Sequence, residues 1–318
     1  MTAPDERVER VDTVAPVAPV APVARVELGA VTVYLGAKSG KYPDGNFVLV
    51  RGSDTVVAFD TPLVANRLVA ELATVDLVVQ GHAHEDHLTG LHLLPATPVQ
   101  VHRADLAAVQ SWDGMAKHYG YSQATLDTMK PAYERDFHYV ERPDATAYDD
   151  GACWDLGGGV RIRAFHMPGH TSGHTVLLVE PDGIAFIGDI DLTGFGPYYG
   201  DATSSLAAFR KTLIDIEHLP ARIWVTSHHK AVVRDHDQFL NLLHAFAGKI
   251  DARDDAIVAA IGTEPKRFEQ IAKRRFLYPQ DYAPGWVDEV ERKTLAQHLD
   301  ALVTGGRIRL RDELYSRT

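Results

Sequence analysis

Three imidazoles and an aspartate, all residue types that bind metals, fall within six consecutive positions of this sequence: GHAHEDHLTG places His82, His84, Asp86 and His87 after the apolar run DLVVQG. That run is short, ends at Gly81 and reads as a buried strand. In the loop after it, His82 and His84 can turn toward one point. The block HEDHLTGLHLL is expected to start a helix with Asp86 in its first turn, so that Asp86 and His87 face a second point nearby. Neutral imidazole with carboxylate suits zinc.

Three later positions extend the pattern. His170 follows the strand-like run RIRAFHM across Pro168-Gly169, Asp189 ends GIAFIG, and His228 ends RIWVTS. Each candidate lies just past the carboxyl end of an expected strand, where layered α/β proteins build their sites. His229 adjoins His228, and a one-residue shift of register would exchange them; His228 is favoured. With sixteen histidines and one cysteine, any metal site here is made of imidazole and carboxylate.

The rest of the chain supplies a layered frame. VTVYLG, FVLVRG and TVVAFD read as consecutive antiparallel strands joined by turns, and GVRIRAFHM, HTVLLVE, GIAFIGD and ARIWVTS as four more. Leu63 to Ala73 shows helical spacing through Leu68, Val69 and Leu72, and Leu206, Phe209, Leu213 and Ile216 mark an amphipathic helix. From about residue 236 the chain turns mostly helical; TLAQHLDALVTGGRIRLRDE reads as a helix stopped at Gly305-Gly306 and followed by a strand. This pattern predicts an α/β or α+β core over residues 26–235 and a small helical C-terminal module over 236–318. Residues 1–25, with their Val-Ala-Pro repeat, are expected to be a disordered, polyproline-like tail.

Taken together, H-x-H-x-D-H, P-G-H-T-x-G-H, G-D and a strand-ending His resemble the metallo-β-lactamase superfamily in its glyoxalase-II-like hydrolase branch. The resemblance runs from about residue 30 to 230. It implies an αββα sandwich in which His82, His84 and His170 hold one metal, Asp86, His87 and His228 the other, and Asp189 bridges both. FDTP around Asp60 resembles the family's early Asp motif, which supports the metal loop, although Pro62 stands where Gly is usual. His174 is structural in that pattern, and Cys153 belongs to packing. The region from IVAAIG to GGRIRL resembles the winged-helix module appended to some members.

The implied chemistry is that of a dinuclear hydrolase: two Zn2+ ions, with Mn2+ or Fe2+ as alternatives, about 3.5–4 Å apart and sharing a hydroxide. Asp86 orients that nucleophile, and the metals stabilise the oxyanion. An ester, thioester or lactone, on a small-molecule or carrier-bound acyl group, is the expected substrate. Tyr198 and Tyr199, in GFGPYYGD, are candidates to offer a phenol to the substrate oxygen or else to shape a structural turn. The Met- and Tyr-rich segment 110–140 is either a lid over the site or ordinary core. One rival reading is a metal-dependent phosphodiesterase acting on RNA, which the formal charge of −11 opposes because phosphate contacts draw on clustered Lys and Arg. Another is a sulfur-oxidising enzyme with a single iron, and a third is a binding protein with a vestigial site. A single cysteine and the lack of a spanning apolar run or signal segment point to a cytoplasmic protein without membrane partners; a homo-oligomer is left open.

Overall fold

The apolar runs of the N-terminal half form one mixed sheet in the computed structural model, which describes residues 22–318. Most of the expected disordered tail, residues 1–21, lies outside the described residues; Arg25 already belongs to the first strand. The sheet runs in chain order: β1 (Arg25–Leu28), β2 (Val31–Tyr34), β3 (Phe47–Arg51), β4 (Val56–Phe59), β5 (Leu77–Gln80), β6 (Val99–His102) and β7 (Thr146–Tyr148). The first four pair antiparallel, as the turn-punctuated sequence predicts for β2, β3 and β4, and β4 to β7 pair in parallel. A second sheet holds β8 (Cys153–Asp155), β9 (Arg161–His166), β10 (Thr175–Glu180), β11 (Ile184–Phe186), β12 (Ile223–Val225) and β13 (Val232–Val233) in the order β13-β12-β11-β10-β9-β8. Its strands are antiparallel except where β11 meets β12.

Strand alternation explains why both faces of each sheet are apolar. Val48 and Val50 of β3, Val57 and Phe59 of β4, and Leu177 and Val179 of β10 fill the space between the sheets. Phe47, Leu49 and Ala58 point the other way, into a core shared with the helices of residues 64–137. On the second sheet, Val176 and Leu178 face Leu206, Phe209, Leu213 and Ile216 of the predicted amphipathic helix. The result is an αββα sandwich. The long helix His236–Ile261 opens on an Asp235 cap and lays Phe239, Leu243, Phe246 and Ile250 onto that same outer core, then carries Ile257 and Ile261 into a separate C-terminal core. One helix thus serves both the sandwich and the C-terminal segment. Val287–Thr304 is the expected late helix, and β14 (Ile308–Arg311) pairs with β15 (Leu314–Arg317) behind it.

Two local expectations change. The segment after His84 forms a three-residue 3-10 turn, Glu85–His87, rather than the start of a helix. Thr61 N–H takes the carbonyl of His87, and Gly90 N–H returns to Thr61, so the bond that would propagate a helix is already used. Leu63–Ala73 likewise splits into a 3-10 turn, Leu63–Arg67, and one α turn, Val69–Leu72; Leu68 and Leu72 are buried while Val69 is 60% exposed.

Candidate metal centre

Strands β4 and β5 of the first sheet are parallel to each other, as are β9, β11 and β12 of the second, and their carboxyl ends bring five loops to one edge of the sandwich. Asp60 leaves β4, the 82–87 block leaves β5, His170 follows β9, Asp189 follows β11 and His228 follows β12. The loops approach closely enough to demand glycine twice. Gly188, at φ +53°, has His174 Nε2 2.6 Å from where a Cβ would stand. Gly169, at φ +137°, has the backbone of Phe209 at 2.3 Å from that position.

The seven sequence-predicted candidates meet here. His82, His84, His170 and Asp189 form one group of potential ligand atoms within 4.8 Å of one another, and Asp86, His87 and His228 form a second. Asp189 reaches across: its Oδ2 lies 3.3 Å from His170 Nε2 and 3.9 Å from His82 Nε2, and its Oδ1 lies 3.1 Å from His87 Nε2 and 3.6 Å from His228 Nε2. Asp86 Oδ2 stands 3.2 Å from His228 Nε2.

Outer hydrogen bonds decide which nitrogen each ring turns inward. His87 Nδ1 donates to Asp60 at 2.8 Å, His170 Nδ1 to the Tyr198 carbonyl at 3.1 Å, and His228 Nδ1 to the carbonyls of Gly40 and Asp44 at 2.9 Å. His84 Nε2 donates to Asp201 at 2.9 Å, which leaves its Nδ1 2.9 Å from His170 Nε2. Two imidazole lone pairs at that separation need a proton or a cation between them. Both nitrogens of His82, Nε2 of His87 and Oδ1 of Asp189 are buried without a hydrogen-bond partner among the described residues. Buried polar atoms are rarely left so, and convergent lone pairs of this kind fit metal ions.

Charge points the same way. Burial pushes His82 well below the ordinary imidazole value, and neighbouring His87 adds to the effect. Burial also opposes protonation of His84 and His228, yet Asp201 lifts the first to about 9, and Asp189 with Asp191 lifts the second to about 10. A cluster so rich in carboxylate calls for positive charge.

Asp60 behaves as its motif implies, accepting from Gly81 N–H at 2.7 Å while orienting His87. His174 is structural: it donates to the Met167 carbonyl and accepts from Asp189 N–H. His229 joins neither group, standing part-exposed beside His228. Tyr198 lines the cavity above the site and donates to Asp201 at 3.0 Å. Tyr199 turns away from the cavity, fully buried, with its hydroxyl between His298 and Arg253. Cys153 is exposed on β8.

Four acidic groups at the site escaped the sequence reading. Glu85 sits in the middle of the histidine block, gripped by Tyr42 at 2.9 Å and by Tyr119. Asp191 lies beside Asp189 and His228; burial, reinforced by Asp189, pushes its carboxyl up to about 7. Its position two residues after Asp189 was a usable signal. Asp201 closes the GFGPYYGD loop already singled out for its tyrosines, whereas Asp105 had no signal, since it arrives from a distant loop. Buried Asp105 accepts from Ala83 N–H at 3.2 Å, Thr171 Oγ1 at 2.6 Å, Gly173 N–H at 2.7 Å and Ser172 Oγ at 3.2 Å. It therefore ties the His82-His84 loop to the loop after His170.

A cavity of about 710 Å³ opens over these groups. Its walls include Tyr119, Tyr121, Met129 and Tyr133, which also belong to the first sheet's outer core. Among the described residues no helix is long and apolar enough to cross a membrane.

Comparison with known proteins agrees with this architecture. A family model described as the metallo-beta-lactamase superfamily matches residues 44–228. A metallo-beta-lactamase family protein from Thermus thermophilus is 22% identical and superposes with a TM-score of 0.68, over 91% of this chain and 99% of its own. A beta-lactamase domain protein from Burkholderia ambifaria is 18% identical, with a TM-score of 0.66 over 95% and 96%. At such identities the likeness is one of fold. An atrochrysone carboxyl ACP thioesterase from Pseudocercospora fijiensis is 24% identical over 171 residues, 53% of this chain and 49% of that protein. The chain spans about half the length of the curated relative it matches.

Proposed function

We propose that this chain, which belongs to the metallo-beta-lactamase superfamily, is a metal-dependent hydrolase that cleaves a thioester or ester, or a lactone as the cyclic counterpart. The observation that carries this reading is the convergence of unpartnered lone pairs from buried His82 and His87 on Asp189, which lines the cavity. His82, His84 and His170 would hold one ion, Asp86, His87 and His228 a second, with Asp189 shared between them. Zinc suits a donor set of imidazole and carboxylate. The curated relative's description as an acyl-carrier thioesterase supports a carrier-borne acyl group as substrate.

Ions bound there supply a water acidic enough to attack at neutral pH and stabilise the oxygen that gains charge. Asp86 orients the attacking water by accepting its hydrogen bond. Asp60, Asp201 and the carbonyls of Gly40, Asp44 and Tyr198 hold each ring's proton on its outer nitrogen, which aims the inner lone pair at the site and makes it a more basic ligand. Tyr198 stands over His170 with its phenol available to the substrate oxygen, at the cost of its bond to Asp201. A thiolate leaves without taking a proton, since thiols ionise at about pH 8.5.

Exhaustive chelation followed by stepwise addition of zinc, read on a panel of acyl thioesters, esters, lactones and a phosphodiester, tests the reading. Thioester or ester hydrolysis should vanish with the metal and return with about two zinc ions per chain. Hydrolysis that persists in metal-free protein, or a panel in which only the phosphodiester is cleaved, refutes it.

A further inference from the structure

The lining of the cavity says what kind of acyl group it takes. Of 22 residues that line it, nine are Phe, Tyr or Trp and one is Met; none is Leu, Ile or Val. A site for a flexible alkyl chain draws on branched aliphatic side chains that close around it. Flat rings instead offer faces and edges to another flat ring, by offset stacking or edge-to-face contact. We infer that this hydrolase selects a planar, fused-ring aromatic acyl group, seated between the Tyr119–Tyr133 wall and an aromatic arm formed by Tyr278, Tyr282 and Trp286. The inference rests on the reading of the site as an acyl hydrolase.

Two features support it. The inner rings are held in place through their hydroxyls: Tyr42 and Tyr119 bond Glu85, while Tyr121 bonds Asp201 at 2.6 Å. Rings held so lose little freedom when a substrate arrives. The arm comes from beyond the catalytic loops and is itself a ring cluster. Tyr278 stacks on Tyr282 at 5.3 Å, meets Trp286 edge-on at 5.5 Å, and touches Phe195 of the loop after β11 at 5.3 Å. Phe195 and Tyr282 remain 42% and 41% exposed, leaving ring surface at the mouth that nothing on the chain covers among the described residues. A volume of about 710 Å³ accommodates two or three fused rings with the reacting carbonyl. Specificity is thereby shared between the C-terminal arm and the rings of the sandwich, while the chemistry stays in the sandwich.

The test uses the full-length, metal-loaded protein and two neutral ketones that hydrolysis cannot consume, 2-acetylnaphthalene and its saturated counterpart, acetyl-decahydronaphthalene. They share a carbon skeleton and differ in planarity. Titration calorimetry should find the flat ketone bound about ten-fold more tightly. Tyr282→Leu and Phe195→Leu, which keep apolar bulk but remove a ring, should each shrink that preference by about three-fold. Equal or reversed affinities in the native protein refute the inference, as does an undiminished preference in either variant with native-like unfolding. Because the native protein alone gives the first comparison, a variant that fails to fold does not disturb that result. Parallel hydrolysis of 2-naphthoyl and decahydronaphthoyl thioesters separates the two readings. Cleavage of both at equal rates, with no difference in ketone affinity, removes the aromatic selectivity and keeps the hydrolase; preferential ketone binding with no cleavage of any acyl substrate does the reverse.

Discussion

Asp105→Asn probes the link between tertiary structure and the metal loops at its narrowest point. The two carboxylate oxygens divide the work: Oδ1 takes Gly173 N–H and Ser172 Oγ, and Oδ2 takes Ala83 N–H and Thr171 Oγ1. An amide keeps one oxygen. Whichever way it turns, one hydroxyl can rotate to accept from the new NH2, but one backbone N–H is left facing a donor. An orphaned buried N–H costs about 1–3 kcal/mol, and the two bonds that survive lose the extra strength of a charged acceptor, about 1 kcal/mol between them. The total, about 2–4 kcal/mol, should lower the melting temperature by roughly 3–6 °C in a chain of this size. Ala83 lies between His82 and His84, so metal should also escape to a chelator about 10–100-fold faster, the range seen when outer-shell partners of ligands are removed. Differential scanning calorimetry and chelator-trapped release measure the two effects. A variant within about 0.5 kcal/mol of the parent, the scatter of ordinary surface substitutions, and releasing metal at the parental rate would show that Asp105 does not hold these loops.

Asp189→Asn should lose at least one metal per chain and slow turnover by several orders of magnitude with the fold retained, because Asp189 alone spans both ligand groups; full occupancy by elemental analysis contradicts this. His228→Ala should weaken metal binding while His229→Ala keeps it, and the opposite order in metal stoichiometry would exchange the two residues. His174 is buried and pushed down to about 3 by burial and then by His170. An unfolded chain binds that proton below about pH 6.5 and the folded one does not, so stability should be full above about 6.5 and decline as pH falls toward about 3. Urea titrations across that window check the slope, and an unaltered slope in His174→Gln removes the residue from the account. Ending the chain after Asp235 strips Phe239, Leu243, Phe246 and Ile250 from the second sheet. At about 1.5–3 kcal/mol each, that loss matches the whole stability of a typical domain, so the product should be insoluble; a soluble, cooperatively unfolding fragment refutes the estimate.

Much of the site was legible because its chemistry is local in sequence. His82, His84, Asp86 and His87 share one loop, and each later candidate follows an apolar run whose β period is plain. Strand direction then carries the loops to one edge whatever the details between them. The same locality explains the amphipathic helix Leu206–Asp215 and the stop at Gly305. The turn at Glu85–His87 was not legible. His87 has its carbonyl claimed by Thr61, from a distant loop, and no window around the block contains that competitor.

The sequence by itself determined the donor types and a layered α/β or α+β core, since residue identity and short-range period specify these, and its family resemblance implied the αββα order and the class of chemistry. Only the tertiary structure decided which nitrogen of each histidine points inward, because Asp60, Asp201 and three carbonyls settle that from across the fold. It also set Tyr198 in the cavity wall and Tyr199 against His298, two neighbours on one loop whose fates follow from opposite side-chain directions. The aromatic arm is the largest such decision. Tyr278, Tyr282 and Trp286 reach the cavity because the helix His236–Ile261 crosses from one core to the other and returns the chain beside the metal loops, a path long in sequence and short in space.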